Sequence, residues 1–185
     1  MKTNMILNYS SLTKFFHWFI ATLVVLMLSG SFFLEDVPEQ FAGTAYMIHK
    51  SLGLTVLTLM VLRLLWILHA GRPSLPNTVP KWQRLLSRTV QYSLYLFLIL
   101  MPLSGWIMSM AANRVPSFFG LFNVPFPGIA PNEDFSKVMV DVHETIAWIL
   151  IFLLILHVSG AIKHHFIDKD DVLRQMLPRR KKNKS

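Results

Sequence analysis

The 185-residue sequence contains no cysteine. Without thiols the chain cannot form disulfides, thiolate-ligated iron–sulfur clusters or the thioether links of covalently attached haem. Several catalytic motifs are missing as well: there is no Walker lysine motif, no G-x-S-x-G elbow, no H-E-x-x-H zinc motif and no glycine-rich dinucleotide fingerprint. Imidazole therefore remains as the soft ligand for a metal centre.

Charged residues are scarce. They make up 15% of the chain against 53% hydrophobic residues, and the mean hydropathy is +0.46, whereas soluble domains carry about 25% charged residues. Four apolar runs are each long enough to cross a hydrocarbon core of ~30 Å, and they lie at 15–33, 45–68, 89–112 and 138–166. We therefore predict an all-α transmembrane four-helix bundle, a single domain over 1–185 that ends in a basic cytoplasmic tail at 167–185.

Basic residues are distributed unevenly between the two sides of the predicted bundle. If both termini and the loop between the second and third helices share one side, 15 of the 18 Lys and Arg residues lie there, and the exceptions are Lys50, Arg114 and Lys137. The positive-inside rule then predicts that both termini face the cytoplasm. The basic tail is interpreted as part of this orientation signal, in contact with lipid, and not as a nucleic-acid-binding segment.

Four histidines lie inside the apolar runs, at His17, His49, His143 and His157. The last two are 14 residues apart, which is close to four helical turns, so they share a helix face and are separated by roughly 21 Å along the axis. The helix directions match His17 in depth with His157, toward the cytoplasm, and His49 with His143, toward the outside. The pattern predicts two separate bis-histidine sites.

Two histidines on facing helices can bind one haem iron from opposite sides of the porphyrin. We therefore predict two haem b groups, an inner one at His17 and His157 and an outer one at His49 and His143. A single intramembrane histidine is as often a hydrogen-bonded polar residue, but four that match in depth favour ligation. Zinc is a further alternative, although structural zinc sites usually gather four ligands in one place.

Other residues near these histidines fit porphyrin binding. Arg63 follows His49 by 14 residues and so shares its helix face at the inner level, where it is a candidate partner for a haem propionate or, equally, an interfacial anchor. Gly30, Gly53 and Gly160 follow the histidines and would let a flat macrocycle approach the backbone. The remaining histidines, including His164, are expected at the helix ends.

The sequence resembles the bacterial cytochrome b561 family over essentially its whole length. The resemblance is carried by Phe16-His17-Trp18, the segment from Met47 to Gly53, Val61-Leu62-Arg63-Leu64, the segment from Tyr95 to Gly105 with Met101-Pro102 at its centre, Val142-His143-Glu144-Thr145, Leu156-His157, His164-His165-Phe166 and the closing segment from Leu173 to Arg179. It implies a four-helix, diheme b-type protein of the bacterial inner membrane. It also implies the same four histidines as haem ligands and places His164 in the neighbourhood of a quinone.

The family includes a superoxide oxidase, so the resemblance implies electron transfer from superoxide to ubiquinone. The outer side is otherwise acidic, and Lys50, Arg114 and Lys137 are the basic residues there that can attract an anion. Two alternatives remain open. One is an electron-transfer subunit that receives electrons from a redox partner protein, as related diheme cytochromes do for hydrogenases or formate dehydrogenases. The other is a structural or lipid-interacting membrane protein without redox chemistry, which predicts a colourless preparation.

Overall fold

A computed structural model describes residues 9–71 and 79–177. Its four helices are α1 (Ser11–Ser31), α2 (Glu39–Ala70), α3 (Lys81–Ala111) and α4 (Glu133–Phe166). All four are long and apolar enough to cross a membrane. The predicted all-α bundle of four spanning helices is therefore confirmed. Basic residues such as Lys2, Arg72 and those of the tail beyond 177 lie outside the described residues.

The helices begin earlier than the apolar runs that predicted them. α1 begins at Ser11 instead of 15, and α3 at Lys81 instead of 89; α2 and α4 begin at 39 and 133 instead of 45 and 138. A helix begins where its first N–H groups can be capped, which does not require apolar residues. Ser10 accepts a hydrogen bond from the Thr13 N–H, and Asn132 accepts one from the Phe135 N–H.

The other ends of the helices differ less. α1 ends at Ser31, two residues before the predicted 33, and α2 continues to Ala70, two residues beyond 68. α3 stops at Ala111, one residue short of 112, and α4 ends at Phe166 as predicted. Pro102 lies inside α3 without dividing it.

A small hairpin of two-residue strands interrupts the all-α architecture in the loop between α3 and α4. β1 (Ser117–Phe118) pairs antiparallel with β2 (Phe122–Asn123). We call this side of the molecule the hairpin end, and the opposite side, which carries the start of α1 and the end of α4, the terminal end. The hairpin is fixed to α2 because the buried Ser51 hydroxyl accepts a hydrogen bond from the Phe119 N–H at 2.8 Å.

The helices pack in sequence order, α1 on α2, α2 on α3 and α3 on α4. Within the described residues, α4 has no comparably close backbone packing against α1 or α2. One core cluster joins α3 and α4 around Leu94 and Leu150, and a second joins α1 and α2 around Ile20 and Met60. Side chains such as Leu154 of α4 touch both clusters. The space between α4 and the α1–α2 pair is therefore bridged by side chains.

Large apolar side chains cover the outside of the bundle. Leu26, Leu65 and Ile155 are 63%, 58% and 59% exposed, and no more than 28% of any spanning window is buried inside the molecule. Such a surface would be unstable in water, but it is the one that a bilayer requires. The chain is a multi-pass membrane protein whose outer surface contacts lipid.

The segment after α4 folds back across the terminal end. Lys14 Nζ donates a hydrogen bond to the Leu177 carbonyl at 2.8 Å, and Trp18 Nε1 donates one to the Met176 carbonyl at 2.9 Å. Residues 167–177 of the predicted tail are thus attached to the start of α1. This attachment lies at the terminal end, next to His17 in the sequence.

Candidate functional site

The structure brings the four intramembrane histidines together as two pairs. His17 of α1 faces His157 of α4, with ring centroids 6.1 Å apart, and His49 of α2 faces His143 of α4, with centroids 6.5 Å apart. These are the pairs that matching by depth predicts. Both pairs span the space between α4 and the α1–α2 pair, where the helix backbones do not pack closely.

The separation within each pair suits a shared metal ion. Two imidazoles on opposite sides of one ion have centroids about 6 Å apart, since each metal–nitrogen bond is about 2 Å and a ring nitrogen lies about 1.1 Å from the ring centre. In the part of the chain that the structure describes, neither pair belongs to a group of three or more possible metal ligands. Two nitrogen donors without a third protein ligand fit a haem iron, whose other four ligands come from the porphyrin, better than they fit zinc.

His143 of the hairpin-end pair is held by α3. Its Nδ1 lies 2.9 Å from Ser104 Oγ, and the hydroxyl of Ser104 also lies 2.8 Å from the Met101 carbonyl. The next residue, Gly105, lies against the same ring: a Cβ added there would be 2.9 Å from His143 Cε1. Sequence reasoning did not single out these two residues, because it considered only glycines on the helices that carry the histidines.

His17 of the terminal-end pair has a cationic neighbour. Arg63 Nη2 lies 3.2 Å from His17 Nδ1, and the guanidinium lies 5.4 Å from the centre of the Tyr95 ring. The Nε of Arg63 is buried without a hydrogen-bond partner. A buried donor of this kind carries an energetic penalty that a carboxylate would relieve, and the guanidinium fork matches a carboxylate in shape. The residues at this end therefore fit a haem propionate, and they place Arg63 inside the bundle beside His17.

The glycines near the histidines have different surroundings. A Cβ at Gly53 would meet Met27 and Pro102 at 3.8 and 3.9 Å, so this glycine lies where α1, α2 and α3 pack together. Gly30 and Gly160 have no atom within 4 Å of such a Cβ. Gly105 is thus the glycine whose missing side chain makes room for a candidate ligand.

Two of the three predicted steering residues lie together. Lys50 Nζ is 3.5 Å from the Arg114 carbonyl oxygen, and Lys50 directly follows His49. Lys137 differs from them because it forms ion pairs: its ammonium group lies 2.9 Å from Glu133 and 3.9 Å from Asp134. The positive charge of Lys137 is therefore offset by carboxylates of its own helix.

His164, the candidate for the quinone neighbourhood, lies in the last turn of α4. It is buried, and its Nδ1 lies 2.7 Å from Asp170 and 3.5 Å from Asp168. Lys163 in turn binds Asp168 at 2.6 Å. The histidine is thus part of a polar network at the terminal end, whereas its position at a helix end had suggested an interfacial side chain.

Comparison with known proteins agrees with this arrangement. A profile described as prokaryotic cytochrome b561 matches residues 8–179. Cytochrome b561 homolog 2 of Escherichia coli strain K12 is 33% identical over 180 residues, which is 95% of this chain and 94% of that protein. A second K12 protein, cytochrome b561 homolog 1, is 29% identical over 94% of this chain and 99% of its own length. A probable superoxide oxidase, CybB of Yersinia pestis, is 29% identical over 94% of this chain and 98% of its own length.

The profile covers nearly the entire chain, including every helix that carries one of the paired histidines. The relatives align over almost their full lengths, so the similarity is to the whole four-helix unit. Four spanning helices with half-buried histidine pairs between them are what a membrane-bound b-type haem protein requires. The chain is therefore a membrane cytochrome and belongs to the prokaryotic cytochrome b561 family.

Proposed function

We propose that this chain is a diheme b-type cytochrome of the bacterial inner membrane that transfers electrons from superoxide to ubiquinone. The observation that carries the proposal is the presence of two separate histidine pairs with centroids 6.1 and 6.5 Å apart. Each pair would supply two imidazole ligands to one b-type haem. Both termini are placed in the cytoplasm, so the hairpin end faces outward.

The four paired histidines and Arg63 have separate roles in this proposal. His49 and His143 hold the haem of the hairpin end, and His17 and His157 hold the haem of the terminal end. Bound haem iron supplies one-electron redox chemistry between the two substrates. Arg63 would bind a propionate of the terminal-end haem through its Nε, the buried donor that has no partner, while its guanidinium stays beside His17.

Superoxide is oxidised at the hairpin end in the proposed reaction. Two superoxide anions lose one electron each and become two molecules of dioxygen, and one ubiquinone gains two electrons and two protons to become ubiquinol. Lys50 and Arg114 attract the anion to the side of the molecule that carries His49. The similarity to a probable superoxide oxidase supports this assignment of the donor.

Ubiquinone is reduced at the terminal end, where the two protons are needed. His164 and Asp170 form a mostly buried imidazole–carboxylate pair at 2.7 Å, with side-chain exposures of 11% and 13%. An imidazole held by a carboxylate can donate a proton and recover one from water. The network of His164 is therefore the candidate proton donor to the bound quinone.

The test begins with the colour of the purified protein. Oxidised and reduced absorption spectra should show a bis-histidine b-type haem, and a pyridine haemochrome assay should give two haems per chain. A colourless protein would support the reading without redox chemistry. The assay then adds superoxide with ubiquinone: accumulation of ubiquinol supports the proposal, whereas haems that superoxide does not reduce would favour an electron-transfer subunit supplied by a partner protein.

A further inference from the structure

The two histidine pairs differ in what contacts the Nδ1 atom of one of their histidines. A metal-bound histidine usually donates its second ring N–H to an acceptor, which fixes the tautomer and increases the basicity of the ligand. At the hairpin end, the neighbour of His143 Nδ1 is the hydroxyl oxygen of Ser104. At the terminal end, the neighbour of His17 Nδ1 is the guanidinium of Arg63, which can only donate.

The single hydroxyl proton of Ser104 decides which residue donates in the hydrogen bond between Ser104 and His143. Ser104 has one hydroxyl proton, and its Oγ lies 2.8 Å from the Met101 carbonyl, which can only accept. When that proton is donated to Met101, the lone pairs of Ser104 are left to accept from His143 Nδ1. The Ser104 oxygen therefore favours the tautomer with the proton on Nδ1, which leaves Nε2 free for iron.

The same bond affects the electronic properties of the ligand. A hydrogen bond from Nδ1–H to an oxygen gives the imidazole more negative character, and this stabilises oxidised iron and lowers the reduction potential. Ser104 is only 5% exposed, so water does not compete strongly for the bond. At the other pair, the neighbour of His17 is a donor, which gives the imidazole no such negative character, so the potential of that haem is not lowered in this way.

Lys50 is the cation next to the hairpin-end pair, and its effect opposes that of Ser104. It is weak, because Lys50 is partly exposed to solvent and lies against the Arg114 carbonyl, whereas Ser104 is buried and bonds to the ligand itself. Solvent screening reduces the influence of an exposed charge more than that of a buried one. The reduction potential of the hairpin-end haem therefore remains below that of the terminal-end haem.

We propose that Ser104 is a positioning residue that holds His143 with its proton on Nδ1 and thereby makes the hairpin-end haem the lower-potential haem of the two. The inference rests on the proposed function, because it requires a haem at each pair. Its consequence is directional: an electron that arrives at the hairpin end moves downhill in free energy to the terminal end, where quinone is reduced. The chain thus carries a built-in preference for inward transfer.

The experiment is redox potentiometry of the purified, haem-loaded protein and its Ser104→Ala variant. His49→Ala, which should retain only the terminal-end haem, assigns the two midpoints. The midpoint potential of the hairpin-end haem should lie below that of the terminal-end haem and should rise in Ser104→Ala. The midpoint potential of the terminal-end haem should not change. Loss of such an outer contact typically changes metal affinity or activity about 10–100-fold. We take the lower end of that range for the electron equilibrium between the haems and expect about a tenfold change, or ~59 mV for one electron.

Two further variants separate the hydrogen bond from general packing. Ser136→Ala removes a buried hydroxyl from the same α3–α4 interface, where it contacts the Met108 carbonyl at 3.4 Å, and should leave both midpoints unchanged. Ser104→Thr keeps the oxygen and should restore the original midpoint. A Ser104→Ala protein with two haems and unshifted midpoints would overturn the inference, as would a hairpin-end midpoint above the other. Absence of haem from the unchanged protein would instead refute the proposed function.

Discussion

The ammonium nitrogen of Lys50 lies 3.5 Å from the backbone oxygen of Arg114, 64 residues further along the chain. This contact brings two cations to the hairpin end, next to the helix position that carries His49. Lys137 was expected to act with them, but its ammonium group is engaged by Glu133 and Asp134. The structure therefore divides the three candidates into an adjacent pair and one residue whose charge is offset.

The first prediction concerns this pair. Replacing both Lys50 and Arg114 with Gln should slow the reduction of haem by superoxide about tenfold at low salt, because charge focusing raises on-rates by about 10–1,000-fold. The difference should shrink as ionic strength increases, since the Debye length falls from ~10 Å at 0.1 M to ~3 Å at 1 M. Lys137→Gln is the matched control and should change the rate little. Equal effects of all three residues would contradict the division.

The second prediction concerns the pairing of the ligands. Replacing His49 or His143 with Ala should remove the hairpin-end haem, and replacing His17 or His157 with Ala should remove the terminal-end haem. The pyridine haemochrome assay should give one haem per chain in each variant instead of two. The two variants of one pair should have the same remaining haem spectrum, and variants of different pairs should have different spectra. If His17→Ala and His49→Ala leave the same remaining spectrum, the pairing is wrong.

The third prediction concerns Gly105. An alanine there would bring its Cβ to 2.9 Å from His143 Cε1, which is too close, so the ring must shift away from Ser104. We expect loss of most hairpin-end haem in Gly105→Ala, measured as haem content and as the change in the reduced spectrum. Gly43→Ala is the control on α2, because this glycine is exposed and no atom lies within 4 Å of its Cβ. That variant should keep both haems, and alanine should favour the helix by about 0.5–1 kcal/mol.

The fourth prediction concerns Arg63. Arg63→Gln removes a charge-assisted hydrogen bond worth about 1.5–3 kcal/mol, so the terminal-end haem should bind about 10–100-fold more weakly. Arg63→Lys keeps the positive charge but loses the forked geometry of the guanidinium. Its affinity for the terminal-end haem should therefore lie between those of the unchanged protein and Arg63→Gln. The hairpin-end haem serves as an internal reference in a haem titration. Unchanged affinity in Arg63→Gln would return this residue to the role of an interfacial anchor.

The fifth prediction concerns topology. Both termini should be cytoplasmic, because 15 of the 18 basic residues then lie on that side. A C-terminal reporter that is active only in the periplasm should be silent, and one that is active only in the cytoplasm should report. The reverse pattern would exchange the compartments that the two histidine pairs face.

The helix count and the histidine pairs were predictable because both depend on simple periodic properties. A run of apolar residues sets the length that crosses lipid, and a rise of 1.5 Å per residue converts sequence position into depth. The helix starts were not predictable from hydropathy, because caps such as Ser10 and Asn132 extend α1 and α4 into polar sequence. The apolar run marks the part of a helix inside lipid, and capping chemistry decides where the helix begins.

The surroundings of the histidines could be predicted only in part. Arg63 was found because it shares a helix face with His49, and regular spacing along one helix is visible in the sequence. Ser104 and Gly105 contact His143 from another helix, 39 and 38 residues away. Contacts between helices depend on rotation and crossing geometry, which a single sequence does not specify. The ion pair of Lys137 with Glu133 was not predicted for a related reason, because counting residues on one side does not show which of them form pairs.

The position of α4 has a consequence for how the protein is made. This helix supplies His143 to one pair and His157 to the other, and it is the last of the four to be synthesised. Neither bis-histidine site can exist while only the first three helices have entered the bilayer. In the proposed diheme protein, both haems would therefore be acquired after translation has delivered α4. A ribosome stalled before that helix would leave a membrane-inserted chain with two single histidines and no complete site.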